Sequence, residues 1–124
     1  MSFAGAQRGM TATIANGANT SDAVDLLGKD LAGFIMPDAW TAAGLKFQVA
    51  YVGDAFSGDN TYRDLYVAGT LFTLAVGASQ QVAFDNDTLI KFRGVRHVKF
   101  VSWNIAGVAV VNQGAARTII PIVI

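Results

Sequence analysis

The sequence predicts an all-β chain: an antiparallel β-sandwich, jelly-roll-like, of about eight strands, with an extended N-terminal arm. Three observations carry that expectation. Short apolar runs recur along the chain, each bounded by Gly, Asn, Asp or Ser, at the spacing expected of strands and turns. No stretch sustains the 3.6-residue periodicity of a long helix. All nine acidic residues are Asp (22, 25, 30, 38, 54, 59, 64, 85 and 87), which favours turns and caps, and Glu, the helix-interior acid, is absent. An immunoglobulin-type sandwich is the nearest competing architecture, and the lack of Cys does not separate the two.

Residues 1–9 are rich in Gly, Ala, Ser and Gln and read as the arm, with residues 10–124 forming one β-sandwich domain. Three β-like runs follow, Met10–Ala15, Ala23–Leu27 and Leu31–Met36, separated by "NGANTSD" and "GKD". Gly28-Lys29-Asp30 reads as a hairpin-type connection or a bulge. Pro37 closes the third run because it cannot donate to a ladder. Asp38–Ala43 is the one place where a single helical turn is expected, with Asp38 as its cap. "LKFQVAYV" (45–52) alternates, with Leu45, Phe47, Val49 and Tyr51 on one face and Lys46, Gln48 and Ala50 on the other. After the polar loop "GDAFSGDNTYRD" come "LYVAG", Thr70–Val76 and Gln80–Phe84. "VRHVKFVSWN" (95–104) alternates again, Val95, His97, Lys99, Val101 and Trp103 opposing Arg96, Val98, Phe100 and Ser102. Ala115–Ile124 is the last run.

Nine Lys and Arg balance the nine Asp, so no net charge attracts nucleic acid or an anionic membrane. Apolar residues make up 52% of the chain and charged residues only 15%, and mean hydropathy is +0.40. That profile fits a subunit that hides much of its surface in an assembly. With no cysteine, a disulfide framework and a thiolate metal site are both excluded. The N-terminal "MSFAGAQRGM" lacks a signal-peptide core, and no apolar run reaches transmembrane length, so synthesis in the cytoplasm is expected.

The stock of catalytic chemistry is thin. His97 is the only histidine, and its position within an alternating strand makes it an ordinary sheet residue. "GDAFSGDN" (53–60) and "DND" (85–87) offer oxygens that calcium could use, but neither has EF-hand spacing, and both read as turns. "KFRGVRHVK" (91–99) interleaves basic and aromatic residues, as nucleic-acid binders do and as edge strands do to block mispairing. Trp40, Phe56, Tyr62, Tyr66 and Trp103 fall at or near loops, where aromatic faces could stack on sugars or simply fill the core. GxSxG, HExxH, a P-loop and CxxC are absent. The reading is non-enzymatic, with no cofactor and no metal.

The cadence "TATIANGANTSDAVDLLGKDLAGFIMPDAWTAAGLKFQVAY", followed by "YRDLYVAGTLFTL", "FRGVRHVKFVSW" and "AARTIIPIVI", resembles a group of small phage and prophage β-sandwich virion structural proteins. Ile14, Gly17, Ser21, Ala23-Val24-Asp25-Leu26, Gly28, Leu31, Gly33, Met36-Pro37, Trp40-Thr41, Ala43, Leu45, Phe47-Gln48-Val49, Asp64-Leu65-Tyr66, Arg96 and Lys99 carry the likeness. The loop "VGDAFSGDN" is longer than the compact Asp-Gly turn of that pattern. The resemblance implies a capsid decoration or cement protein on the virion surface, partnered by the major capsid protein and by copies of itself. A carbohydrate-binding module of a fibre or tail is the alternative. Shell subunits converge at local three-fold positions, so a homotrimer is the expected assembly.

The C-terminal "TIIPIVI" sharpens that expectation. Chain ends are usually polar and frayed, yet Thr118, Ile119, Ile120, Pro121, Ile122, Val123 and Ile124 carry no side-chain charge. With Phe3 and Met10 they are the expected oligomer or capsid interface, covered by a neighbouring subunit. The competing reading makes them the last internal strand of their own sandwich.

Overall fold

The structure, a computed structural model, describes residues 7–8, 10–51 and 62–124. In chain order its strands are β1 (Gln7–Arg8), β2 (Ala12–Ile14), β3 (Val24–Asp25), β4 (Leu31–Ile35), β5 (Gly44–Tyr51), β6 (Arg63–Asp64), β7 (Tyr66–Val67), β8 (Thr70–Leu71), β9 (Thr73–Leu74), β10 (Gln81–Ala83), β11 (Val95–Asn104), β12 (Ala109–Val110) and β13 (Arg117–Val123). One helix, α1 (Asn86–Lys91), precedes β11. All pairings are antiparallel and the fold is all-β and sandwich-like. A five-stranded sheet runs β1-β13-β4-β10 with β2 also on β13. A six-stranded sheet runs β12-β11-β5-β6 with β3 on β11 and β9 on β5. The β7-β8 pair stands beside them.

The expected eight or so strands become thirteen ladder segments because several runs break where the chain changes partner. Thr70–Val76 is one such run: β8 pairs with β7, whereas β9 pairs with β5. "GKD" is not a hairpin either. It carries the chain from β3 in one sheet to β4 in the other. Leu27 and Gly28 both take positive φ (55° and 78°), and the Lys29 N–H donates to the Leu26 carbonyl at 2.9 Å, a turn of primed type used as a crossover.

The two sheets meet over phenylalanine. Phe34 from β4 faces Phe47 and Phe100, register partners on β5 and β11, with ring centroids 6.2, 5.4 and 5.4 Å apart around the triangle. Phe92, just after α1, closes one side at 5.1 Å from Phe47 and 5.3 Å from Phe84, and Phe72 stacks at 5.9 Å on Phe47. Edge-to-face pairs of this kind add stabilisation beyond their buried area. Leu31, Leu45, Val98 and Ile119 complete the core, all fully buried.

A bulge at Arg96 shifts the β5–β11 register between Val95 and His97. Strict alternation therefore fails at the start of β11: Val95 joins Val98 and Phe100 in the core rather than sharing a face with His97. The helical turn also sits elsewhere than expected. At Asp38–Ala43 tertiary bonds win: the Asp38 carboxylate accepts from Ser79 (3.1 Å), Trp40 Nε1 donates to the Ala43 carbonyl (3.0 Å), and the Thr41 N–H donates to Gln113 (2.8 Å). "DND" instead starts α1, where Asp85 Oδ1 caps the Thr88 N–H at 2.8 Å.

The apolar C-terminal run is an internal strand. β13 pairs with β4 on one side and with β2 and β1 on the other. Ile119, Pro121 and Val123 point into the core, which is why the run is apolar and why those three side chains are unavailable to a partner. Within the expected arm, Gln7 and Arg8 pair with Val123 and Ile122. β2 reaches only Ile119, so the end of β13 leaves ladder groups that β1 satisfies. Ile124 and Asp30 exchange both backbone hydrogen bonds, at 3.0 and 2.9 Å. Counting the antiparallel alternation back from that pair turns the Pro121 nitrogen towards the break between β1 and β2, where no donor is required.

One buried amide ties the ends of the sheets together. Gln113, 1% exposed, donates through Nε2 to Ser102 Oγ (2.8 Å) and the Thr41 carbonyl (3.1 Å). Its Oε1 accepts from the Thr41 N–H (2.8 Å) and Arg117 Nε (3.2 Å). Every side-chain polar atom is satisfied, as a buried amide requires. Gln113→Leu keeps the volume but strands the Thr41 N–H and Arg117. We expect a loss of about 2–3 kcal/mol in denaturant unfolding, and a loss below about 0.5 kcal/mol would mean that water or Asn112 replaces the amide.

Candidate interaction surfaces

Because β13 is central, its side chains divide between two faces. Opposite Ile119, Pro121 and Val123, the outer face carries Thr118, Ile120 and Ile122. Thr118 Oγ1 lies 3.1 Å from Thr13 Oγ1 across the β2 ladder. Ile120 is paired with Ile35 and Ile122 with Gly33. Gly33 has φ 156°, and a Cβ there would meet the Val82 carbonyl oxygen at 2.2 Å, so the close approach of β10 demands glycine. The missing side chain leaves a shallow 370 Å³ depression beside Ile122, Ala32 and Ala83. Ile35, Ile120 and Ile122 are half-buried on this face.

The remaining expected interface residues scatter. Met10 precedes β2 and is 57% exposed, and Ile124 ends β13 at 47% exposed. Phe3 lies outside the described residues, as do Phe56 and the loop 53–60 with its candidate calcium oxygens. The hairpin between β11 and β12 adds an apolar tip, with Ile105, Val108 and Val110 exposed. Val108 holds a positive φ of 52°, strained for a β-branched residue, while Asn104 Oδ1 accepts from the Gly107 N–H at 3.0 Å.

The outer face of the six-stranded sheet is polar. The Arg96 bulge turns Arg96 and His97 together onto Asp25 of β3: Arg96 Nη2 donates to Oδ2 at 3.1 Å, Arg96 Nε donates to Oδ1, and His97 Nε2 stands 3.7 Å from Oδ2. The Leu27 N–H also donates to Asp25 Oδ1, at 2.9 Å. The Arg96 fork, aided by that N–H and opposed by burial, holds the Asp25 carboxyl down at about 2. Tyr62 packs edge-on to His97, and Lys99 Nζ lies 4.2 Å from the Tyr62 ring centre. Burial, and then the Asp25 charge, raise the Tyr62 hydroxyl above its ordinary value. Further along, Lys46 is buried between the Trp103 ring (4.0 Å) and Asp64 (3.1 Å).

These contacts divide the basic run 91–99 among several partners. Lys91 Nζ donates to the Asp87 carbonyl, Arg93 lies 4.0 Å from Asp30, Arg96 is bound to Asp25, and Lys99 covers Tyr62. Of the aromatics expected at loops, Trp103 lies within β11 and Trp40 is half-buried with its indole N–H engaged. Gln113 and the Asp25 pairing gave no signal in the sequence, because each joins positions about seventy residues apart. Among the described residues, no three His, Asp, Glu or Cys side chains converge as a metal site would need. No described helix is long and apolar enough to cross a membrane. Comparison with family models, curated proteins and solved structures finds no match to this chain.

The Asp25 pairing has a pH signature. A carboxyl lowered from 3.8 to about 2 in the folded state stabilises the fold above its unfolded pKa. That contribution, about 1–2 kcal/mol after screening, is lost as pH falls from about 4 towards 2. In denaturant unfolding Asp25→Asn should therefore be weaker than wild type at about pH 7 and nearly equal to it at about pH 2. A gap that stays constant with pH would contradict the assignment.

Proposed function

We propose that this chain is a non-enzymatic virion component, a capsid decoration or cement protein that self-associates as a trimer and bridges neighbouring shell subunits on a phage head. The observation that supports this reading is the outer face of β13. An internal strand needs one apolar face, and this one has two. Ile120, Ile122 and Ile35 stand half-covered in a chain of zero net charge, where little repulsion opposes close packing of copies. Covering apolar surface contributes about 25 cal/mol per Å², and interfaces of this kind hold an assembly by association energy alone. The resemblance of the sequence cadence to phage structural proteins supports the virion context, and a local three-fold position on a shell suits a trimer.

The association reading makes a direct prediction. Light scattering at micromolar concentration should give three chains per particle. The double substitution Ile120→Lys with Ile122→Lys should give a folded monomer, because lysine stems lie along a sheet face while their charges stay in water. A wild-type monomer would sink the proposal. On purified particles, quantitative mass spectrometry should count about one copy per major capsid subunit or another lattice multiple. A handful of copies, or none, would exclude a decoration role.

A further inference from the structure

β10 is an edge of the five-stranded sheet, and the register of that sheet fixes which of its backbone groups are free. Gln81, Val82 and Ala83 stand opposite Ile35, Phe34 and Gly33 of β4. At the two ends of that ladder the Met36 N–H donates to the Gln80 carbonyl (2.8 Å) and the Phe84 N–H to the Ala32 carbonyl (2.9 Å). Hydrogen-bonded pairs recur at every second residue of an antiparallel ladder, so in between it is Val82 that bonds to Phe34. The N–H and C=O groups of Gln81 and Ala83 therefore point away from β4, and both residues are exposed. No turn, loop or side chain among the described residues bonds to those groups.

Proteins blunt such an edge with a charge, a proline, a bulge or a covering segment. β10 is short, but it has none of these. No charged residue and no Pro occurs between Asp64 and Asp85, and the register with β4 runs unbroken. The opposite side of the sheet is treated differently. There Asp22 closes the free side of β2, with Oδ1 accepting from the Thr13 N–H at 2.7 Å and its own N–H donating to the Thr13 carbonyl at 3.2 Å.

We infer that β10 pairs antiparallel with β10 of a second copy, about a two-fold axis at Val82, joining their sheets into one. Gln81 of each copy then stands opposite Ala83 of the other, and these pairs exchange all the outward-facing bonds. Val82 meets its counterpart in the close, non-hydrogen-bonded position, where β-branched side chains pack well. A second copy is the occupant because the same three residues, read in the opposite direction, supply every missing donor and acceptor and bring no charge. The faces agree as well. Val82 is half-buried and packs on the core, so Gln81 and Ala83 lie on the outer face, in the rows of Ile35 with Ile120 and of Gly33 with Ile122. Pairing continues that uncharged face across the axis. So short a ladder is weak, with a dissociation constant on the order of 0.1–1 mM. It stays open in micromolar solution and fills where copies crowd together. The contact is two-fold and independent of the trimer, and its failure leaves that reading untouched.

The test uses the full chain and reads amide exchange and cysteine cross-linking. Between about 10 µM and about 2 mM, exchange at Gln81 and Ala83 should slow at least about twofold, while Val82 is protected throughout. The chain has no cysteine, so single substitutions report the register. At high concentration Val82→Cys should oxidise to a linked pair at least about tenfold faster than Gln81→Cys or Ala83→Cys alone, and a mixture of the last two should link to each other. Ala83→Pro removes only an outward N–H, so the fold should survive while the slowing at Gln81 is lost. Fast exchange at Gln81 and Ala83 at every concentration, equal cross-linking by the three single variants, or slowing that persists in Ala83→Pro would each overturn the inference. Protection that appears only on adding purified particles would assign the edge to a shell subunit and overturn it too.

Discussion

The structure depends on β13 being both the last strand and a central one. It forms ladders with β1, β2 and β4, and it sends Ile119 and Val123 into the core. Until its residues are in register, the five-stranded sheet lacks the strand that joins its two sides. Antiparallel pairing fixes which face each residue takes, and a slip by one would exchange the core set for Ile120 and Ile122. Pro121 restricts the choice further, since its missing N–H is tolerated only at the break between β1 and β2.

Around that strand the interior closes by aromatic packing. All six described phenylalanines belong to one contiguous cluster. They come from β4, β5 and β11 and from the segments at positions 72, 84 and 92, so both sheets and the short helix are clamped to the same centre. The polar ties, Gln113 at one end and Asp25 with Arg96 on the outer face, hold long-range neighbours in place without supplying the bulk of the stability. Outside that core, Ile120 and Ile122 stand half-buried on the outer face of β13, the face on which we propose that copies associate.

Much of this was legible from residue order. The alternation in 45–52 and 95–104 marked the two strands that became the spine of the six-stranded sheet, and the Asp-for-Glu bias marked a turn-rich β chain. The errors have physical causes. A bulge at Arg96 changes face without changing composition, so alternation misassigned Val95. Asp38 and Asp85 are equally good caps locally; a bond to Ser79 took one of them, and the flanking buried Phe92 and half-buried Phe84 favoured a helical turn at the other. The C-terminal run was visibly unusual, but two apolar faces cannot be told from one apolar face plus a partner without knowing which neighbours lie beside the strand.

β13 is completed within its own chain by β1, β2 and β4. Amide hydrogen exchange across residues 117–123, followed over a dilution series, tests it directly. Protection of Ile119, Ile120 and Val123 close to that of the β5–β11 ladder, unchanged on dilution, is the predicted result. Protection that disappears on dilution while β5 and β11 remain protected would mean that a partner completes the strand, and would contradict the account.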